Sequence, residues 1–550
     1  MLLPHLAQSF LPLANPLGMG LADLIELGLA ALLLALALVW RPWLEPYAAR
    51  LAQKPVWSIL LLAALPVALR LALLPRHPAP VPDIYDEFSH LLVADTLRHF
   101  RLANPAHPFH RFFETFFVLQ EPTYSSIYPV GQGAALALGW MILGTPWAGV
   151  LISVATLCAL CYWMLRGWTT PGWALMGGVL AVMEFGPLNQ WMNSYWGGAL
   201  PAAAGCLVFG ALPRLRRGGR LRDGVLLGAG LAIHLLTRPY ESVYLVLCVI
   251  LILLPAWKSV KRPLLAAAIV VLPAIGFTLL QNKQVTGSWT TLPYALSQYQ
   301  YGVPAALTFE ANPAPHRELT REQELDYKMQ LSFRGDRAET VGSYLLRLAY
   351  RIRYYRFFFM PPLYLALPFF FAALRRLWFV WVLACPLVFA LGVNFFPAFQ
   401  YHYMAGVTCL FVLISVTGLE QVSRWNALAA RIIIALCIAQ FAFEYGLHVW
   451  SNDPWSLALR NPERRGAIHN QLAQAPGKQL VFVRYWPRHI FQDEWVYNAA
   501  DIDGARVVWA RDLGAAEDEK LRRYYPDRTV WLLEPDARPP RLTPSCGTRF

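Results

Sequence analysis

The stretch "VPDIYDEFSHLLVADTLRHF", residues 81–100, gathers four carboxylates and two histidines in a chain that is otherwise strongly apolar. It begins six residues after an apolar run at about 56–75, which is long enough to cross a bilayer. Read as a helix, it places Asp83, Asp86, Glu87 and His90 within an arc of about 100°, with Ile84, Phe88, Leu91 and Leu92 on another side. A helix lying in the membrane interface would then turn an acidic patch with one imidazole toward the outer face. Crowded carboxylates raise one another's pKa and suit general-base work. The spacing of Asp83, Asp86, Glu87 and His90 also permits a divalent-cation site, and the sequence names no cofactor beyond that. The bland alternative is a solvated loop helix with merely exposed acids. The position at a membrane exit, with more polar sequence just downstream, favours the functional reading.

The surrounding chain fixes the class. Of 550 residues, 57% are hydrophobic and only 15% charged, against about 25% charged in soluble domains. Apolar runs recur from residue 21 to residue 450, which predicts a polytopic α-helical membrane protein. We count about twelve spans, at 21–40, 56–75, 147–165, 172–187, 198–212, 225–239, 242–257, 263–281, 360–373, 377–394, 404–419 and 432–450. "GQGAALALGWMILG" (131–144) reads as a partly inserted helix. With this count, every Arg- or Lys-rich short loop falls on one side, including "PRLRRGGRLRD" between spans five and six. The positive-inside rule makes that side cytoplasmic. The net charge of +13 is therefore orientation, and no nucleic-acid partner is expected. Seven of eight cysteines lie in apolar runs, so Cys158 and Cys161 read as small packing residues despite their CxxC spacing.

The opposite face carries two loops, at about 76–130 and 282–358, and a tail at 451–550. The tail alternates strand-like runs ("KQLVFVRYW", "ARVVWA", "RTVWLLEP") with polar stretches. This predicts a transmembrane unit over 1–450 and a small extracytoplasmic α/β domain over 451–550. Its Asp501 and Asp503 form a DxD that we read as an Asp-capped turn before a strand. In "NPAHPFHRFFETFFVLQEPTYSSIYPVGQG", His110, Glu114, Tyr124 and Tyr128 alternate with aromatics suited equally to stacking on sugar rings and to anchoring at a bilayer surface. "NQWMNSYWGG" adds Asn193, Tyr195 and Trp196, and "FQYHYMAG" adds His402 and Tyr403. Arg238, at an outward membrane boundary, needs a counter-charge, either Glu241 or a lipid phosphate, and the ion pair is slightly favoured. Arg351, Arg353 and Arg356 put positive charge on the outward side, where an anionic lipid phosphate would explain it.

An early span, an outward loop opening with an Asp-Glu pair on a helix, a second loop helix and a "YPVGQG…LGWMILG" element together resemble the GT-C superfamily of membrane glycosyltransferases, over residues 56 to 450. The chain is most similar to the RgtA/B/C/D-like members, which are related to the protein O-mannosyltransferases and the lipid A aminoarabinose transferase. The additional first span and the tail domain depart from that pattern. The resemblance implies a polyprenyl-phosphate-linked sugar donor, an extracytoplasmic acceptor, inversion at the transferred carbon, and membrane lipids as surroundings in a bacterial inner membrane. It also implies Asp86 as the catalytic or metal-binding carboxylate, with Glu87 beside it. The rival reading is a transporter or lipid flippase, which would place ionisable groups along a path through the membrane. Arg70 and Glu184 are the few charges within spans.

Overall fold

The structure, a computed structural model, describes residues 46–544 apart from 83, 336–338, 451–456 and 458–462, together with a few residues between 28 and 36. Most of the first expected span, Asp83 and Cys546 thus lie outside the described residues. The remaining apolar runs form helices at Pro55–Ala72, Pro146–Leu165, Pro171–Phe185, Ala199–Gly218, Leu221–Thr237, Pro239–Leu253, Trp257–Thr286, Leu377–Val393 and Ala427–Trp450. Pro55, Pro146, Pro171 and Pro239 open their helices. There the ring presets the backbone and the missing N–H would have had no helical partner anyway.

Two expected spans are built differently. Residues 360–373 form 3-10 turns, Pro361–Leu365 and Leu367–Arg375, because Pro368 would remove an interior ladder donor from a continuous helix across them. The span expected at 404–419 begins as a 3-10 turn, Tyr401–Val407, and continues as the α-helix Thr408–Trp425. The segment expected to insert only partly is the helix Val130–Leu143, stopped at Gly144 with φ 75°. At about 1.5 Å per residue it is shorter than a hydrocarbon core. Among the described residues, five helical runs are long and apolar enough to cross a membrane, the run 239–286 holding two of the expected spans. Three apolar helices, Val130–Leu143, Pro171–Phe185 and Leu377–Val393, are shorter.

The helices share one core that includes Leu62, Tyr162, Phe185, Phe209, Phe389 and Leu410. Helices Val130–Leu143 and Pro146–Leu165 meet where Gly139 lies on the backbone of Gly149, and a Cβ on either would overlap the other chain. Cys158 and Cys161 are free and buried in this core. Arg70 lines no path. Its guanidinium is spent on Asn193 Oδ1 (2.7 Å) and the carbonyls of His77 and Pro78 (both 2.9 Å), over the Trp147 ring. That one buried cation ties the helix end to both segments that frame the acidic stretch.

The first loop holds a small antiparallel sheet, β1 (Asn104–Pro105), β2 (Val118–Leu119) and β3 (Thr123–Ser126), in the order β1-β3-β2. The three strand-like runs of the tail become β4 (Lys478–Val483), β5 (Val507–Arg511) and β6 (Arg528–Glu534), with β7 (Arg541–Pro544) added at the edge. Their order is β5-β4-β6-β7, parallel except for the last pair. The helices Glu463–Gln474 and Ala515–Tyr524 complete the α/β unit.

The tail does not stand apart. Phe88, Leu92, Phe112 and Phe113 of the first loop share a core with Leu480, Phe482, Val508 and Ala510. Phe88 stacks on Tyr497 at 4.1 Å, and Ala500 N–H donates to Asp95 Oδ2 at 2.8 Å. The aromatic-rich stretch is therefore largely neither a sugar platform nor a bilayer anchor, because its phenylalanines are the tail's docking surface.

Candidate active site

The acidic stretch is a helix, Tyr85–Arg98, entered from extended backbone at Ile84. Its two adjacent carboxylates diverge. Glu87 turns into the protein: Oε2 accepts the Ile84 N–H (3.1 Å) and Oε1 accepts the Tyr195 N–H (2.8 Å), so it caps the helix and braces the loop at 189–198. The expected catalytic pairing of Glu87 with Asp86 is thus a division of labour, with Glu87 structural. Asp86 instead accepts a hydrogen bond from the Tyr128 hydroxyl. Burial pushes the Asp86 carboxyl up to about 6, while the Tyr128 hydroxyl and the Arg238 charge pull it back. Burial, then the Asp86 charge, holds the Tyr128 hydroxyl well above the usual phenol range, so it remains a donor. His90 stacks on Tyr128 at 4.3 Å. Burial, helped by Arg238, lowers its imidazole to about 3, leaving a neutral ring whose buried Nδ1 has no hydrogen-bond partner.

Arg238 lies between two helices rather than on either. With φ −140° and ψ 74° it closes Leu221–Thr237 and opens Pro239–Leu253. Its expected ion pair with Glu241 is absent among the described residues. A three-residue spacing aligns side chains only along a continuous helix, and the chain breaks at Arg238 itself. The guanidinium makes no hydrogen bond or ion pair to a described residue; it sits 5.8 Å from the Tyr403 ring centre, and its charge reaches Asp86 and His90. Close packing brings these parts together: at Gly131 the start of Val130–Leu143 lies on Leu236 and Thr237, the residues just before Arg238. His402 packs edge-on to Tyr403 (5.0 Å) and Trp196 (5.6 Å), and the Trp196 Nε1 is also buried without a partner.

Asp86, His90, Tyr128, Trp196, Arg238, His402 and Tyr403 therefore form one neighbourhood, assembled from five separated stretches of sequence. Other expected site residues are used elsewhere. Asn193 anchors Arg70 and its own turn (Pro187 O, 3.0 Å), and the Tyr195 hydroxyl donates to Pro80 O at 2.8 Å. Tyr124 is buried, with its hydroxyl on Asn498 O of the tail (3.1 Å). Glu114 pairs with Arg317 (2.6 Å) and accepts from the Tyr301 hydroxyl (3.0 Å), while Arg317 also binds His110 Nδ1 (2.9 Å) and Glu121 (2.7 Å). Among the outward arginines, Arg351 is buried on the carbonyls of Val393 and Phe396. Arg353 lies over Tyr350 (3.6 Å), and Arg356 is exposed on the turn Ile352–Phe358. In the tail, Asp501 Oδ1 accepts the Gly504 N–H (3.0 Å) as an Asp-capped turn does, and Asp503 binds His107 and Tyr525.

Among the described residues no group of three His, Cys, Asp or Glu is placed to hold a metal ion, and Asp83, the fourth member of the expected set, lies outside them. Sequence reasoning missed His234, whose Nδ1 meets Ser242 Oγ (2.7 Å) and whose Nε2 lies close to Gly406, and Asp326 of the second loop.

No protein-family model and no curated protein matches the sequence. Among solved structures, the chain is similar to ArnT from Cupriavidus metallidurans in the apo state, with a TM-score of 0.49 and 12% identity over 88% of this chain and 93% of that one. The same protein bound to undecaprenyl phosphate gives a TM-score of 0.48 and 11% identity over 86% and 92%. The archaeal oligosaccharyltransferase AglB from Archaeoglobus fulgidus, in complex with an inhibitory peptide and a dolichol-phosphate, gives 0.42 and 11% over 90% and 70%.

Proposed function

We propose that this chain is an integral membrane glycosyltransferase of the GT-C kind, moving a sugar from a polyprenyl-phosphate donor to an extracytoplasmic acceptor. One observation carries the reading: a half-buried carboxylate lies within reach of the charge of an arginine that makes no ion pair with a described residue, where apolar helices end. A cation left unpaired at a membrane boundary is costly unless an anion joins it, and a lipid phosphate is the anion such a place meets. Arg238 neutralises the donor phosphate. Asp86, held by Tyr128, takes the proton from the acceptor hydroxyl as its oxygen attacks the anomeric carbon. The carbon–oxygen bond to phosphate breaks, its electron pair leaves on the phosphate, and the sugar is transferred with inversion. Polyprenyl phosphate is already a stabilised leaving group, so positioning and charge neutralisation supply most of the catalysis. A single displacement needs one base.

The reading places the chain in the bacterial inner membrane, with the tail domain outside the cytoplasm. The protein reconstituted in liposomes with undecaprenyl-phosphate-linked sugars should bind at least one of them and release undecaprenyl phosphate; binding of none would overturn the reading. Alkaline phosphatase fused after Phe550 should be active and a cytosol-dependent fluorescent protein dark, and the opposite pattern would overturn the topology.

A further inference from the structure

The helix Arg321–Arg334 of the second loop carries a carboxyl that no ion pair uses. Asp326 is fully buried; its Oδ2 accepts a hydrogen bond from Gln330 Nε2 at 2.9 Å, and its Oδ1 has no partner among the described residues. Buried polar atoms are almost always satisfied, and one that is not marks a place that something else completes. The packing locates it. Tyr327, the next residue, packs with Phe117, Tyr301 and Val303 in a cluster that Tyr85 and Tyr128 also join. Tyr85 precedes Asp86 and Tyr128 is its hydrogen-bond partner. The helix start is pinned by its Thr320–Gln323 capping box and by Gln323 Nε2 on Glu114 (3.3 Å). Asp326 thus lies on a helix packed against the same aromatic cluster, within reach of the Asp86 charge and delivered by a different loop.

We propose that Asp326 is a further substrate-binding residue of the Asp86 site, its orphaned Oδ1 hydrogen-bonding an oxygen of the lipid-linked sugar; this rests on the glycosyl-transfer reading above. Two oxygens hydrogen-bond only through a proton, and Asp326 is equipped to bring one. Burial first, then the charge of Asp86, pushes its carboxyl up to about 7 against the opposing hydrogen bond from Gln330. Asp86 is the titratable group whose charge reaches it from a facing element, and its other close partner, Gln330, is neutral. The two acids therefore separate in role as their environments separate them. Asp86 ionises first and accepts, while Asp326 keeps its proton and donates. The acceptor is an oxygen of the donor head, either a sugar hydroxyl or a phosphate oxygen.

The test compares full-length wild type, Asp326→Asn and Asp326→Leu in lipid nanodiscs. Asn keeps an N–H donor, so it should raise KM for the lipid-linked sugar much less than Leu does, and the alkaline fall of the rate as Asp326 ionises should disappear. Leu removes the donor and should raise KM for the lipid-linked sugar about tenfold or more, with kcat less affected. Binding of sugar-free undecaprenyl phosphate then separates the sources: weakened in Asp326→Leu if the contact is to phosphate, unchanged if it is to the sugar. A Leu variant with wild-type KM and affinity overturns the proposal. So does an Asn variant as inactive as Asp86→Asn, because that would make Asp326 a working carboxylate. One readout needs no turnover. The infrared difference between wild type and Asp326→Asn should contain a protonated carboxyl band at pH 6, fading as pH rises through about 7 and fading at lower pH when Asp86 is Asn. No such band overturns the proposal while leaving glycosyl transfer standing. A normal band in a protein that binds no lipid-linked sugar removes that reading and this inference with it.

Discussion

Two polar regions of this molecule hold similar groups in opposite states. At the junction of the loops and the tail, Arg317 binds Glu114, Glu121 and His110, and Arg511 binds Glu322, Glu494 and the Glu114 carbonyl. Every one of those charges is answered. Around Asp86 the picture inverts: Arg238 makes no ion pair with a described residue, and the buried His90 Nδ1, Trp196 Nε1 and Asp326 Oδ1 have no hydrogen-bond partner among the described residues. Saturated networks hold a fold together, whereas unsaturated ones keep their bonding capacity for something that arrives. The contrast separates architecture from site among residues that look alike in sequence.

Three substitutions sharpen the contrast. The largest effect is expected in the saturated region. Arg511→Met leaves Glu494 and Glu322 buried without their cation, a change that costs about 3–5 kcal/mol when one partner of a buried pair is removed. It should loosen the tail, seen as faster proteolysis and amide exchange at β5, with donor affinity little changed. A collapse of donor affinity in a folded protein would mean that the junction belongs to the site.

Arg238→Gln should behave in the opposite way. It should leave proteolysis unaltered and weaken donor binding by about 1.5–3 kcal/mol, the loss of a charge-assisted hydrogen bond. It should also move the pH profile. Asp86 works ionised, so the rate falls as pH drops through about 6. Removing the positive charge that pulls its pKa down moves that acid limb to higher pH. Tyr128→Phe is the smallest of the three. It deletes a hydrogen bond to the carboxylate, so the acid limb should again move upward, by about one unit or less, with stability nearly intact. An acid limb that stays in place in both variants would detach Asp86 from the rate.

Much of this was legible in the sequence. The helix at the membrane exit, the apolar helices, the three strands of the tail and the buried cysteines follow from periodicity and length, which are local signals. What the sequence hid depends on chain returning from afar. Glu87 and Asp86 look like a pair, yet their side chains leave the helix about 100° apart and meet different partners. Phe112 and Phe113 look like part of a surface belt until the tail, almost four hundred residues later, covers them. Arg351 looks like a phosphate ligand because nothing local says that the carbonyls of Val393 and Phe396 will claim it. Asp326 sits in "REQELDYKMQL", which reads as a solvated polar helix, and only the packing buries it.

The central claim is that Asp86 takes the acceptor's proton. The measurement that tests it most directly is the turnover of Asp86→Asn on a polyprenyl-phosphate-linked sugar, beside donor binding and with chelator as a second arm. The side chain keeps its shape and its place against Tyr128 but loses its charge and its proton affinity. Turnover should fall by about two or more orders of magnitude, the scale of general-base catalysis, while expression and donor affinity stay near wild type. Glu87→Gln should fall less in turnover and more in stability, since both its oxygens hold backbone N–H groups. Equal losses at Asp86, Glu87 and His90, all deepened by chelator, would transfer the role to a bound cation. A fully active Asp86→Asn protein would contradict the mechanism outright.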